Sequence, residues 1–301
     1  MIIGNGSDEI IALLTRALLL PGDGAIMADP SFSIYHLTTL SCHGTPVFIP
    51  LTSPLTLSLS RGERGQNAIG KGAGRHDLTQ MAHAVTEKTR LIFICNPNNP
   101  TGTIVRQVEV MRFLSQLPKQ TLEKRQLWIV FDEAYAEYVT DPAYPSSNSL
   151  LKKGCPVIFL RTFSKIYGLA GLRIGYGIGP ADLIDILNRI RQPFNVNSLA
   201  QKAALAALSD EVHVKKSVEL NESGKRYLYQ QFDAMGISYL PTEANFICFN
   251  IKGAKRVYDL LLHQGVIIRH MGEETLRVSI GNKSKNQRFI RSFRKITEGR
   301  G

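Results

Sequence analysis

The sequence predicts an α/β protein in which a mostly parallel sheet carries helices on both faces and a smaller C-terminal α+β unit follows. Three observations predict it. Short β-rich runs alternate with helical patterns along most of the 301 residues, as in chained βαβ units. Polar, glycine- and proline-bearing motifs follow directly on several of those runs, where open parallel sheets place their ligands. From about Ile237 the texture changes to three short strand patterns separated by two helices.

Gly4-Asn5-Gly6 opens a helix that starts with Ser7-Asp8-Glu9 and buries Ile10, Ile11, Leu13 and Leu14; Pro21-Gly22-Asp23 closes it. Ahead of it, Met1-Ile2-Ile3 reads as the end of a strand or turn. Apolar, β-branched runs predict strands over 25–28, 46–49, 91–95, 127–131, 157–160 and 174–178. Helices are expected over 182–191 and 198–208, the second continuing through 212–235 with a break near Ser209-Asp210. Further strands over 246–251, 266–269 and 276–280 alternate with helices over 254–264 and 283–296. The organisation expected is a large domain over 1–195, a connecting long helix over 196–236 and a small domain over 237–301. The segment 53–75, rich in Ser, Gly and Arg without periodicity, reads as a solvent-exposed insertion in the large domain.

Composition narrows the function classes. With 44% hydrophobic and 20% charged residues the chain is an ordinary globular protein, and no apolar run reaches membrane-spanning length. Cys42, Cys95, Cys155 and Cys248 are far apart, without metal-binding spacing, which predicts buried free thiols in a cytoplasmic protein and no metal. The net charge of +11 is spread rather than clustered with aromatics. That argues against nucleic acid and for cations that hold small anions.

Four motifs sit at strand exits or a helix start. Gly4-Asn5-Gly6-Ser7-Asp8-Glu9 offers free backbone N–H groups and a positive dipole end, a phosphate-binding arrangement. Asn96-Pro97-Asn98-Asn99-Pro100-Thr101-Gly102 is a rigid turn that presents an asparagine amide. Asp132-Glu133-Ala134-Tyr135 follows an apolar strand, and a carboxylate at that depth needs a cation or hydrogen bonds. In Arg161-Thr162-Phe163-Ser164-Lys165, followed by Gly168 and Arg173, a crowded lysine suits imine formation, while Thr162, Ser164 and Arg173 suit a phosphate. Together the four specify a phosphorylated pyridine aldehyde. His270, His36 and His43 have no partner spacing and are assigned packing or surface roles.

The order NGSDEII (5–11), NPNNPTG (96–102), DEAY (132–135), RTFSKIYGLAGLRIGY (161–176), PFNVN (193–197), PTEANF (241–246) and LRVSIG (276–281) resembles the fold-type I pyridoxal-phosphate aminotransferases. Within them it is most similar to the histidinol-phosphate aminotransferase branch. The likeness covers nearly the whole chain apart from 53–75 and the basic tail. It implies pyridoxal 5′-phosphate as cofactor and a cytoplasmic homodimer, with an amino donor and a 2-oxo acid as small-molecule partners. It makes Lys165 the imine-forming lysine and proton-transfer base and pairs Asp132 with the pyridine nitrogen. Tyr135 and Asn99 would bond the phenolic oxygen and Phe32 would stack on the ring. Ser7, Asp8, Thr162, Ser164 and Arg173 would cradle the cofactor phosphate. Arg277 would take a carboxylate, Arg269 the substrate phosphate, and Asn245 would sit near the substrate.

The reaction this implies is amino transfer between L-histidinol phosphate and 2-oxoglutarate in histidine biosynthesis. Threonine-phosphate decarboxylase, an aromatic aminotransferase and a non-catalytic remnant are the other readings. Chains of this resemblance carry roughly seventy to eighty residues ahead of the first motif, including a segment that reaches the neighbouring subunit's cofactor. The present sequence is therefore expected to be a shortened form. A short stretch between Arg269 and Arg277 is a second departure.

Overall fold

The computed structural model describes residues 1–52, 73–118, 126–152 and 154–299, so most of the expected insertion lies outside the described residues. Seven strands form one sheet in the order β1-β7-β6-β5-β4-β2-β3. They are β1 (Ile2–Gly4), β2 (Gly24–Asp29), β3 (Thr45–Pro50), β4 (Thr89–Cys95), β5 (Trp128–Asp132), β6 (Val157–Thr162) and β7 (Gly175–Ile178). From β3 to β6 neighbouring strands run parallel, while β7 and β1 are antiparallel additions at one edge.

The central strands read as unbroken apolar runs because both faces are covered. In β4, Leu91, Phe93 and Cys95 pack on one layer and Ile92 and Ile94 on the other, the period of two that pleating imposes. The first layer holds α1 (Ser7–Leu18), α2 (Ile34–Ser41) and α6 (Ala181–Ile190). The second holds α3 (Leu78–His83), α4 (Gln107–Gln116) and α5 (Ser147–Lys152). Helices α2 to α5 were not expected from the sequence. They are short, and α2 is apolar around much of its surface, so a stripe does not stand out.

The long connection is two helices, α7 (Ser198–Leu208) and α8 (Glu211–Ala234), separated at Ser209 and Asp210. Asp210 accepts from the His213 N–H at 2.9 Å and so starts α8 afresh. A second, antiparallel sheet has the order β10-β11-β9-β8, built from β8 (Ser238–Tyr239), β9 (Phe246–Asn250), β10 (Arg269–Gly272) and β11 (Thr275–Ser279). Helices α9 (Ala254–His263) and α10 (Lys283–Thr297) cover it. Its core joins Phe249, Leu276, Val278, Phe289 and Phe293 to Leu228 and Phe232 of α8.

Two expectations need correction. The strand expected over 266–269 begins instead at Arg269, because the chain leaving α9 turns through a left-handed Gly265 and bonds Val266 N–H back to Leu261 O. Cys95 and Cys248 are buried thiols, but Cys42 and Cys155 are only half-buried.

Candidate active site

The carboxyl-terminal ends of β2, β4, β5 and β6, the start of α1 and the β10–β11 ribbon enclose a cavity of about 540 Å³. Its wall includes Ser7, Asp8, Phe32, Asn99, Asp132, Tyr135, Thr162, Ser164, Lys165, Arg173, Arg269 and Arg277. Residues far apart in the sequence thus meet at the edge where parallel sheets place ligands. Asn245 is not on that wall. Its carbonyl accepts from Ile280 N–H at 2.8 Å and its side chain bonds the Tyr138 hydroxyl. His270, expected to pack or face solvent, is exposed beside the Tyr258 ring and borders the cavity together with Met271.

One pole of the cavity suits an anion. Helix α1 has no side-chain cap, which leaves its first N–H groups open. Gly6 precedes it with φ of 80°, and a Cβ there would lie 2.5 Å from the Arg173 guanidinium. Only glycine allows both that backbone and the close approach. Arg173 itself adopts a left-handed backbone (φ 54°) that aims its side chain at the helix start. Its guanidinium lies 3.4 Å from Ser164 Oγ and 3.4 Å from Asp8 Oδ2. Thr162 Oγ1 accepts from Ser164 N–H at 3.1 Å and holds that loop in place.

The floor is a buried carboxylate. Asp132 ends β5 at 2% exposure. One oxygen accepts from Ala134 N–H at 3.1 Å and the other from the Tyr35 hydroxyl at 2.8 Å. Burial pushes its carboxyl up to about 6, and the bonds from Tyr35 and Ala134 oppose that rise. Behind it, Arg161 pairs with Glu133 at 2.6 Å and Glu137 at 3.0 Å, tying together the ends of the strands that carry Asp132 and Thr162. Tyr35, which sequence reasoning missed, sits fully buried behind the wall and stacks on Phe93 at 4.6 Å. It also meets Phe32 edge-on at 5.6 Å. The only local signal was its position three residues beyond Phe32, one helical turn away.

Lys165 faces this floor. Its Nζ lies 5.1 Å from the Tyr135 ring centroid. Burial lowers its affinity for a proton below the ordinary lysine value, Arg277 lowers it further, and Asp132 and Asp8 pull the other way. A lysine so placed has more of the neutral, nucleophilic amine. Opposite stands a second cationic pole. Arg269 and Arg277 are register partners on β10 and β11. Arg277 donates to Asn99 Oδ1 and lies over the Phe246 ring at 4.6 Å. Its Nε is buried with no hydrogen-bond partner among the described residues.

Among the described residues no cluster of His, Cys, Asp or Glu could hold a metal ion, and no helix is long and apolar enough to cross a membrane.

Comparison with known proteins gives the same picture. The family model "Aminotransferase class I and II" matches residues 1–293. A histidinol-phosphate aminotransferase of Moorella thermoacetica is 47% identical over 302 aligned residues, covering 98% of this chain and 72% of the relative. One from Carboxydothermus hydrogenoformans is 41% identical, covering 99% and 77%. The solved Sinorhizobium meliloti histidinol-phosphate aminotransferase, in complex with pyridoxal-5′-phosphate, superposes with a TM-score of 0.85 at 24% identity over 99% of this chain and 77% of that one. A fold with a lysine and a buried carboxylate between two cationic poles, joined to such identity over nearly its whole length, places the chain in the class I and II aminotransferases and, within them, in the histidinol-phosphate aminotransferase family.

Proposed function

We propose that this chain transfers the amino group of L-histidinol phosphate to 2-oxoglutarate, giving imidazole acetol phosphate and L-glutamate for histidine biosynthesis, with pyridoxal 5′-phosphate as cofactor. The observation that carries the reading is Lys165 and the buried Asp132 lining one cavity together with Arg173, Arg269 and Arg277. The residues fit the cofactor. The glycine-lined start of α1, with Arg173 and Ser164, matches a phosphate, and a buried carboxylate matches a protonated ring nitrogen.

In this reading Ser7, Asp8, Thr162, Ser164 and Arg173 hold the cofactor phosphate, and Phe32 covers a face of the ring. Asp132 keeps the proton on the ring nitrogen, while Tyr135 and Asn99 bond the phenolic oxygen. When bound, the cofactor supplies an electron sink for the charge that develops at the donor carbon. Lys165 Nζ is the catalytic base that takes the proton from the donor Cα, and its depressed proton affinity leaves it neutral enough to do so. Arg277, on the cavity wall, takes the 2-oxo acid carboxylate by a planar fork. Arg269, directly across the ribbon, takes the substrate phosphate. Asn245 acts at one remove, through Tyr138.

The active form is a cytoplasmic homodimer. The chain's solvent-facing apolar residues support it: Phe194 is 98% exposed, Leu199 75% and Leu205 64%, and Leu205 lines a second hollow of about 320 Å³ with Met1, Ile3 and Leu208. The large domain over 1–195, the connection over 196–236 and the small domain over 237–301 are the units of this reading. The separate cores of the two sheets support them.

The test is steady-state turnover of the cofactor-loaded chain with histidinol phosphate, threonine phosphate and phenylalanine, measuring glutamate and carbon dioxide. Glutamate from histidinol phosphate at a kcat/KM well above that for phenylalanine is the expected result. Carbon dioxide from threonine phosphate would identify a decarboxylase, and turnover of none of the three would mark a non-catalytic chain.

A further inference from the structure

The turn that carries Lys165 is held from outside its own sheet. After β6 the backbone folds back on itself, with Phe163 O accepting from Leu169 N–H and Lys165 O from Gly168 N–H, each at 3.0 Å. The next carbonyl along the turn, that of Ile166, accepts from His213 Nε2 at 2.9 Å. A carbonyl cannot donate, so Nε2 carries the proton. Ser217 Oγ lies 3.4 Å from the same nitrogen. Ile166 is 2% exposed and packs with Tyr135, Tyr138 and Phe246.

His213 stands in the first turn of α8, and that helix continues to the other side of the cavity. Asn221 donates to Ala244 O at 3.2 Å and Lys225 to Thr242 O at 3.3 Å, at the lead-in to β9. Strand β9 pairs with β11 and sets Cys248 opposite Arg277. An α-helix rises about 1.5 Å per residue with every interior peptide bonded. A stiff strut of about 18 Å therefore separates the bond to the lysine turn from the bond to the arginine sheet.

We propose that His213 is a positioning residue for amino transfer: by gripping Ile166 O it fixes the Lys165 turn relative to the sheet that carries Arg277. This rests on the function proposed above. A proton transfer needs the lysine nitrogen within about 3 Å of the donor carbon, and misplacement by about 1 Å can cost up to a hundredfold in rate. A turn with one free carbonyl has room for such a shift.

The test compares His213→Leu, which has no donor, with His213→Gln, whose Nε2 matches the reach of the imidazole. His213→Leu should lower kcat about tenfold, with KM for the amino donor changed less than about twofold, and His213→Gln should restore most of the loss. A second readout uses the cofactor-free 301-residue chain, in which acylation of Lys165 by acetic anhydride is followed by peptide mass against pH. The charged or titratable groups around Lys165 are Arg277, Asp132, Asp8 and Cys95, with the Tyr135 ring against Nζ. None of them changes in either variant. Release of the turn admits water, so the labelling midpoint should rise toward the ordinary lysine value in His213→Leu and stay in place in His213→Gln. Should His213→Leu not fold, His213→Asn, too short to reach Ile166 O, carries the same expectations. Wild-type kcat and a wild-type labelling profile in the donorless variant would overturn the proposal. So would equal loss in the leucine and glutamine variants. A wild-type chain that turns over no amine defeats the proposed function alone, since the labelling profile still decides this inference.

Discussion

Asp132 is placed where burial disfavours its charge. Its carboxyl is lifted to about 6 by burial, against about 3.9 in an unfolded chain. The folded, cofactor-free chain therefore binds that proton more tightly than the unfolded one. Ionised Asp132 opposes folding above pH 6, and the opposition fades as pH falls from about 6 to about 4. Asp132→Asn should raise the cofactor-free melting temperature at pH 7.5 and flatten its pH dependence across that window, while turnover falls about 10³-fold. A lower melting temperature at pH 7.5 would refute the account of Asp132. Tyr35→Phe removes the hydroxyl bonded to Asp132 at 2.8 Å, and a bond to a charged group contributes about 1.5–3 kcal/mol. Cofactor affinity should weaken by roughly tenfold, as read by absorbance titration, with little change in KM for 2-oxoglutarate. Lys165, Asp132 and Arg173 were legible in the sequence because each sits at a strand exit or glycine turn that announces it. Tyr35 was not, since its partner is 97 residues away and a buried tyrosine looks like any core aromatic.

The start of α1 shows how an element can be built around one glycine. Gly6→Ala would force a Cβ to within 2.5 Å of the Arg173 guanidinium and would strain a φ of 80°. Cofactor affinity should fall by about tenfold or more, and inorganic phosphate should compete with the cofactor less effectively than in the wild type. Unchanged cofactor affinity would mean that this pole does not hold the phosphate. Strands β2 and β4 to β6 were legible because strands buried on both faces leave continuous apolar runs. Helices α3 and α5 are six residues each, less than two turns, and too short for a 3.6-residue period to register. The break between α7 and α8 was visible in Ser209-Asp210. The start of β10 was not, because the exit from α9 uses up residues that look like a strand.

At the scale of the molecule, two cores flank the cavity. One is the sandwich of the large sheet and its helices, the other the aromatic cluster under the four-stranded sheet. Helix α8 contributes Phe232 to the second, where it lies within 4.9 Å of Phe249 and 6.2 Å of Phe289 by ring centroids. Phe232→Ala should cost about 3–5 kcal/mol, read as a lower midpoint of urea unfolding, and should also weaken 2-oxoglutarate binding because Arg277 stands on that sheet. Sheet type was legible from the alternation of patterns along the chain. How the two cores meet was not, because the cavity between them is lined from distant stretches that no local pattern connects. The net charge of +11 finds a local use there, with Arg173, Arg269 and Arg277 all on the wall of one cavity. The most direct test of the whole account is a single turnover without 2-oxo acid. Cofactor-loaded chain is mixed with excess histidinol phosphate, and the keto product is counted per chain. The account predicts one imidazole acetol phosphate per loaded chain, and none from Lys165→Ala carrying the same cofactor. No product from the wild type, or as much from Lys165→Ala, would contradict it.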